Sequence, residues 1–373
     1  MSSFLNSLLL LPVILLIRFL FPSINLPTSN QALVSATSQS ALIEGSKNPS
    51  WSIKGTTNDK IIETDLSRLV ATTESDYKSF NETLFQIMVP RVSGTKGNED
   101  VRLYIIDYLR KLNWFVEEDS FHDRTPFGMK PFTNIIATHN PDACKRVVLS
   151  CHYDSKYFRD FEFVGATDSA VPCTMILELV RILNEKLHRH KNNELTLQLM
   201  FFDGEEAFKD WTSTDSLYGS RHLASKMMNE LRSATACPND RSIRTELQRI
   251  EVLILLDLIG EASPQFCNHF SETKSLFDRL MTTEKRLNRL KLLESKRKSG
   301  TRYFPSTCFD SWRVEDDHIP FLQKGVPPLH IIATPFPQQW HKKGDDSEHL
   351  HHPTINNLMK IFRVFLIEYF DLK

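Results

Sequence analysis

The sequence predicts one α/β domain, with a mostly parallel central sheet and helices on both of its faces. Four apolar runs of strand length, at 146–151, 195–202, 252–256 and 328–333, alternate with stretches of helical periodicity. Predominantly apolar runs of this length are typical of strands buried on both sides, which favours parallel pairing. No internal repeat or second hydrophobic core is evident, so we expect a single domain.

The predicted helices lie before, between and after these strands. Within 98–112, apolar residues recur three and four positions apart, as they do on one face of a helix. After the first strand, Pro172 lies where a first-turn proline belongs, and an apolar face continues to Leu187. A closing helix is predicted over 354–370. Strands that alternate with helices in this way indicate a parallel sheet covered on both faces.

The composition excludes several classes of protein. The 373 residues carry 45 Lys+Arg and 46 Asp+Glu, a formal net charge of -1, so the chain lacks the basic surface that nucleic acid requires. A hydrophobic fraction of 41% provides a large core and excludes disorder over the whole length. We therefore expect a globular protein with no nucleic-acid partner.

The amino terminus predicts entry into the secretory pathway. Residues 1–23 are interpreted as a signal peptide or a signal anchor, because the apolar run 8–17 has the length of a signal-peptide core and Arg18 ends the region. Residues 24–64 resemble a stem or linker, and residues 65–373 form the predicted folded domain. We expect a secreted protein, with a single-pass type II Golgi membrane protein as the alternative.

Secretory entry would give two further features a meaning. Asn81 begins the triplet Asn81-Glu-Thr83, a predicted N-glycosylation site, although such triplets also arise by chance. Cys151 and Cys173 suit two buried thiols and a disulfide equally well on the sequence alone. The cysteines without an evident partner are Cys144, Cys237, Cys267 and Cys308.

Each predicted strand is followed by carboxylates or histidines. These residues are His152, Asp168, Glu205, Glu206, Asp257 and His341. Because ligands of open α/β sheets bind beyond the carboxyl ends of the strands, we expect these side chains to meet there. A single polar residue at a strand end is usually a cap, but convergence from distant segments is hard to explain structurally. Histidine and carboxylate ligands suit catalytic zinc, so the pattern predicts a metal site.

The adjacent pair Glu205 and Glu206 predicts a division of labour. Neighbouring residues at a strand end point in different directions, so one glutamate could bind metal while the other transfers protons. The alternative is a pair of solvated glutamates at the start of a helix, where acidic residues favour the helix dipole.

Four segments resemble animal glutaminyl cyclases, also called glutaminyl-peptide cyclotransferases. They are CHYDSKYF at 151–158, GATDSAVPC at 165–173, FDGEEAF at 202–208 and DDHIPF at 316–321. The resemblance extends from about Ser79 to the C-terminus. It implies the zinc-aminopeptidase fold and an enzyme that converts N-terminal glutamine, and weakly glutamate, to pyroglutamate. Its partners would be peptides and proteins with N-terminal glutamine, and we expect a monomer.

The resemblance also implies a role for particular residues. One zinc ion per chain would be bound by Asp168, Glu206 and His341. Glu205 would transfer the proton and Asp257 would meet the substrate α-amine. Asp316 would lie in a hydrogen-bonded network with Glu205, and His330 would lie close to the active site. The aromatic residues of the pocket would be Trp211, Phe336 and Trp340. Cys151 and Cys173 would form a disulfide.

Two other functions stay open at this stage. A two-zinc aminopeptidase is possible because His152, Asp168, Glu206, Asp257 and His341 include the full ligand set of such enzymes. The segment 316–318 and the pocket tryptophans favour the cyclase. A catalytically inactive binding module would be expected to have lost a ligand or the proton-transferring glutamate, and neither is missing.

Overall fold

Six strands form one mixed sheet in the computed structural model, which describes residues 63–190, 192, 194–231, 237, 240, 242–294, 302–308 and 314–373. The strands are β1 Phe115–Thr125, β2 Gly128–Thr138, β3 Lys145–His152, β4 Leu195–Phe202, β5 Ile250–Asp257 and β6 Pro328–Ile332. Their order across the sheet is β1-β2-β4-β3-β5-β6. The last four strands in this order pair in parallel, whereas β1 and β2 pair antiparallel.

The described residues contain eight α-helices. These are α1 Glu63–Leu69, α2 Glu74–Ile87, α3 Lys96–Lys111, α4 Val171–Arg189, α5 Tyr218–Asn229, α6 Lys274–Arg289, α7 His318–Leu322 and α8 His352–Phe370. The three predicted helices correspond to α3, α4 and α8, with ends that differ by three residues at most. Pro172 lies in the first turn of α4, as predicted.

The helices bury both faces of the sheet. On one face, alternate residues of β3 and β5 such as Val148 and Leu253 pack with Leu223 of α5 and Phe321 of α7. On the other face, α4 packs against β3 and against α8, which is buried along almost its whole length. Burial on both sides explains why the four parallel strands are predominantly apolar in the sequence.

The predicted α/β fold with its parallel strands is confirmed, but the β1–β2 hairpin was not predicted. β1 lies at the edge of the sheet, and most of its residues are exposed or half-buried. Its exposed positions therefore carry charged residues such as Glu117, Glu118 and Arg124 instead of an apolar run.

The predicted signal peptide or anchor and almost all of the predicted linker lie outside the described residues. Within the described part of the chain, no helix is both long enough and apolar enough to cross a membrane. The boundaries at 23 and 64 stay predictions.

The cysteine pairing differs from the prediction. Cys144 is bonded to Cys237 and Cys267 to Cys308, with Cα atoms 5.2 Å and 6.0 Å apart. Cys151 and Cys173 are instead buried free thiols whose sulfurs lie 2.7 Å apart. The Cys173 thiol donates to the carbonyl of His152, and burial raises the pKa of Cys151, which favours the protonated thiol. The predicted pair is thus adjacent but not bonded in this structure.

Candidate active site

The polar residues that follow the strands converge at one edge of the sheet, as predicted. His152 and Asp257 are the last residues of β3 and β5, and Glu206 lies in the loop after β4. Asp168 lies in the turn that precedes α4, and His341 follows β6. The sheet therefore brings together side chains that are far apart in the sequence.

Asp168, Glu206 and His341 form a compact triad of metal-ligand type. His341 Nε2 lies 3.2 Å from Glu206 Oε1 and 3.3 Å from Asp168 Oδ2. One ligand atom of each residue lies within 4.8 Å of the others. The two carboxylates are buried, whereas the His341 side chain is 22% exposed, so the triad is accessible from one side. Three nitrogen and oxygen ligands with an open position fit catalytic zinc.

The electrostatics of the triad favour bound positive charge. Burial opposes protonation of His341, but the carboxylates of Glu206 and Asp168 raise its pKa to about 9. Burial also opposes ionisation of Asp168, yet hydrogen bonds from His152 and His341 hold its pKa below the usual range. The carboxylates therefore stabilise a proton or a metal ion at this position.

A second triad shares Asp168 with the first. His152 Nε2 lies 3.0 Å from Asp168 Oδ1 and 3.5 Å from Asp257 Oδ1. These three groups also bring one ligand atom each within 4.8 Å of the others. The hydroxyl of Ser169 donates a hydrogen bond to the same Oδ1 of Asp257. Distances alone therefore suit one or two metal ions.

Glu205 lies beside the first triad with its carboxylate unengaged. Its side chain is buried, and no described residue hydrogen-bonds to its carboxylate oxygens. Burial raises its pKa well above the usual range, although His152 opposes the shift. A buried glutamate of raised pKa without a protein partner is suited to accept and return a proton.

Asp316 is engaged differently from the prediction. Its Oδ2 lies 2.6 Å from His330 Nε2, and its Oδ1 accepts the backbone N–H of Asp317 at 2.6 Å. Among the described residues, no hydrogen bond joins Asp316 directly to Glu205. The charge of Asp316 is nevertheless one of the causes that raise the pKa of Glu205.

Comparison with known proteins assigns the family. Residues 134–366 match the model of Peptidase family M28. A glutaminyl-peptide cyclotransferase of Drosophila melanogaster is 47% identical over 302 residues, covering 79% of this chain and 81% of its own. One of Bos taurus is 44% identical over 315 residues, covering 82% and 85%. The chain belongs to the glutaminyl-peptide cyclotransferase family.

Solved structures agree with this assignment. A glutaminyl cyclase of Macrostomum lignano has a TM-score of 0.75 and 35% sequence identity to this chain. The match covers 85% of this chain and 95% of that one. The similarity therefore includes nearly the whole described part of the chain.

Of the three aromatic residues that the resemblance assigns to the pocket, Trp340 and Phe336 lie beside His341. The Trp340 ring stacks on the His341 ring with centroids 4.0 Å apart, and Phe336 contacts Trp340 edge-on at 4.8 Å. Trp211 is 40% exposed, and its Nε1 donates to Glu315, which directly precedes Asp316. His330 is buried against Asp316, as described above, and lines no open surface.

The loop that carries the two glutamates is braced by residues to which the sequence assigned no role. The Asp154 carboxylate accepts the backbone N–H groups of Glu205 and Glu206 at 3.1 Å and 3.2 Å. Lys156 Nζ lies 3.2 Å from Glu206 Oε2 and donates to the carbonyl of Ala207. Asp154 lies in the CHYD segment directly after a predicted strand, and this position could have identified it as a residue of the site.

Arg91 braces the Asp168 loop from beneath and carries no motif signal. Its fully buried guanidinium donates to the carbonyls of Tyr153 at 2.7 Å, Gly165 at 3.1 Å and Asp168 at 3.4 Å. It also donates to the carbonyl of Val164. Gly165 has a φ of +48°, and a Cβ there would lie 2.1 Å from the Asp168 carbonyl oxygen, so this turn requires glycine.

Proposed function

We propose that this chain converts the N-terminal glutamine of peptides and proteins, and weakly N-terminal glutamate, to pyroglutamate. With glutamine the leaving group is ammonia. One observation carries the proposal: the Asp168–Glu206–His341 triad lies next to a buried glutamate, Glu205, whose carboxylate has no partner among the described residues. Membership of the cyclotransferase family supports it.

The residues of the triad would hold a single zinc ion. When bound, that ion would polarise the γ-carbonyl of the substrate glutamine, which is otherwise a poor electrophile.

Glu205 would transfer the proton in both halves of the reaction. The substrate's own α-amine is the nucleophile, so the enzyme supplies no attacking group. Glu205 removes one proton as the amine attacks and later donates it to the departing ammonia. Its burial and raised pKa bring its proton affinity closer to that of an amine.

Asp257 and the aromatic rings would position the substrate. Asp257 is buried, and burial raises its pKa to about 7 although His152 opposes the shift. We assign it to the neutral α-amine, which it would hold next to Glu205 by accepting one of its N–H groups. Trp340 and Phe336 would cover the folded glutamine side chain and exclude water, which limits competing hydrolysis.

A two-zinc aminopeptidase is the second candidate, and the His152–Asp168–Asp257 triad favours it. The two functions separate when purified protein is given a peptide that begins with glutamine and, separately, an N-terminal amino-acid anilide. Loss of the mass of ammonia from the peptide supports the cyclase. Release of a free amino acid from the anilide, together with two zinc ions per chain by elemental analysis, would support the peptidase instead.

We further propose that the protein is secreted, monomeric and glycosylated at Asn81. The two disulfides support passage through an oxidising compartment, since such bonds are rare in the cytosol. Asn81 is exposed on α2, so the folded domain has room for a glycan there. Expression in secretory cells tests this: glycosidase treatment should lower the apparent mass of the secreted protein and leave an Asn81→Gln variant unchanged.

A further inference from the structure

Two histidines from separate parts of the fold meet at the surface, where they have no role in the proposed chemistry. His139 directly follows β2, and His188 lies in the last turn of α4. His139 Nε2 lies 3.2 Å from His188 Nδ1, and the ring centroids are 4.7 Å apart. The two residues are 49 positions apart in the chain, so the fold brings their nitrogens together.

Both histidines are held in place by their surroundings. The backbone N–H of His139 donates to the carbonyl of Leu197 at 3.1 Å, which continues the pairing of β2 with β4. The His139 ring also contacts the Trp114 ring edge-on, with centroids 5.4 Å apart. His188 Nε2 lies 3.2 Å from the carbonyl oxygen of Leu112. The relative position of the two rings is therefore set by contacts of the folded domain.

The contact with Leu112 determines which nitrogen of His188 can bind a metal ion. A carbonyl oxygen only accepts hydrogen bonds, so the proton of the neutral His188 ring is on Nε2 and a lone pair is on Nδ1. Histidines that bind metal usually donate their other ring N–H to a carbonyl or carboxylate in this way. The nitrogen of His188 that faces His139 is therefore the one that can act as a ligand.

His139 can present a lone pair to the same place. Without metal, its Nε2 donates a hydrogen bond to His188 Nδ1, because that atom carries no proton. In the other neutral tautomer the proton is on Nδ1, and Nε2 becomes a metal ligand without any change in the charge of the ring. Burial and the neighbouring His188 and His190 lower the pKa of His139 to about 4, so protonation does not compete with a metal at neutral pH.

The spacing of the two nitrogens suits a single shared ion. Histidine nitrogens bind first-row metal ions at about 2.0–2.1 Å, so two of them on one ion, at an angle of about 90–109°, lie about 2.8–3.4 Å apart. The observed 3.2 Å lies within this range. Because His188 is exposed, water can occupy the remaining coordination positions.

We propose that His139 and His188 bind one divalent copper ion as a pair of imidazole ligands. Imidazole suits several first-row ions, and among these ions the affinity of a nitrogen site is highest for Cu²⁺. The bound ion would join the end of β2 to the last turn of α4 and would stabilise the folded state. This inference is independent of the proposed function, because neither the metal-ligand triad nor Glu205 takes part in it.

Copper affinity is measured by chelator competition on purified protein that carries no affinity tag and has been supplied with zinc. His139→Leu and His188→Leu should each weaken copper binding by about 100-fold or more, because each variant lacks one of the two ligands. The Leu112 carbonyl keeps a partner in the second variant, since Asn184 Nδ2 also donates to it at 3.2 Å. The matched control is His122→Leu, which removes an exposed histidine on β1 and should leave copper affinity unchanged. Copper affinity that survives both ligand substitutions would overturn the site.

Tryptophan fluorescence locates the bound ion without altering either ligand. Cu²⁺ quenches indole rings close to it, and the Trp114 ring contacts His139, so copper should quench Trp114 in the wild-type protein. Trp114→Phe should keep the copper affinity and lose most of the quenching. Undiminished quenching in this variant would place the ion elsewhere and reject the proposal. The electron paramagnetic resonance spectrum of the copper-bound protein should show coupling to imidazole nitrogen, and a spectrum without it would also reject the proposal.

Discussion

Replacing Arg91 by lysine should weaken metal binding through the backbone, with no change in any metal ligand. The Arg91 guanidinium makes five hydrogen bonds, all to backbone carbonyls, including those of Tyr153, Gly165 and Asp168. Four of these carbonyls belong to the segment 153–170, which connects β3 to α4 and carries the proposed metal ligand Asp168. Arg91 thus ties the beginning of this segment to its end, next to the metal-ligand triad.

The magnitude follows from the number of donors. A lysine ammonium has three N–H donors, so at least two of the five carbonyls (five minus three) would lose their partner. A buried polar group without a partner costs about 1–3 kcal/mol, which predicts a loss of about 2–6 kcal/mol in the free energy of unfolding. Since groups that orient metal ligands typically contribute 10- to 100-fold to affinity, zinc binding should weaken by about that factor.

The assay combines denaturant unfolding with zinc affinity measured by chelator competition. Arg249→Lys is a matched control, because Arg249 is also a buried arginine that donates to backbone carbonyls, those of Pro141, Ala143 and Cys144. It should lower stability and leave zinc affinity unchanged. If Arg91→Lys bound zinc as tightly as wild-type protein, the proposed positioning role of Arg91 would be wrong.

Three further predictions concern the chemistry and the stability of the domain. Glu205→Gln should abolish nearly all turnover and keep bound zinc, whereas His341→Ala should lose the metal. Elemental analysis measures the zinc, and peptide cyclisation measures the turnover. Full activity of the glutamine variant would remove Glu205 from the mechanism. Burial and His188 lower the pKa of His139 to about 4, so stability should fall as pH decreases from about 6.5 to about 4. Because solvent screens this half-buried ring, the loss should be about 1–2 kcal/mol, less than the full shift would give, and His139→Asn should remove it in denaturant titrations. Cys237→Ser should cost about 4–5 kcal/mol, because the bond to Cys144 spans 93 residues; an unchanged unfolding midpoint would contradict this estimate.

The sign of the His139 prediction follows from its two pKa values. In the unfolded chain this histidine binds a proton as pH falls below about 6.5, whereas in the folded state it stays neutral until about pH 4. Proton binding therefore favours unfolding between these values, and stability is lost as pH decreases. His139 lies far from the metal ligands in the fold, at the hydrogen-bonded contact with His188, so the measurement does not depend on zinc.

The parallel strands and the polar residues that converge at their ends could be predicted because each leaves a local signal. A strand buried on both faces is apolar at most positions, as in residues 252–256 of β5, which gives a continuous run in the sequence. The chain then leaves the sheet at the carboxyl end of the strand, so Glu206 and Asp257 are found there by position alone. For these residues, the position in the sequence directly after a strand determines the position in the fold at the edge of the sheet.

The cysteine pairing could not be predicted in the same way, since a disulfide depends on the distance between two Cα atoms and not on sequence pattern. Cys144 and Cys237 are 93 residues apart in the chain, yet their Cα atoms lie 5.2 Å apart. The proximity of Cys151 to Cys173 follows from β3 and the start of α4, which the sequence does predict. For that pair the expected proximity is confirmed, whereas the expected disulfide bond is not present in this structure.

The braces of the active site were missed for a different physical reason. The partners of Arg91 are backbone carbonyls, and those of Asp154 are backbone N–H groups, which every loop possesses regardless of its sequence. The pattern of side chains in the sequence therefore does not identify which residue will hydrogen-bond to these backbone groups. Yet these contacts fix the two loops that carry Asp168 and Glu206. It follows that a relative of this chain could keep every metal ligand and still bind metal weakly, if the residue at the position of Arg91 could not engage the same carbonyls.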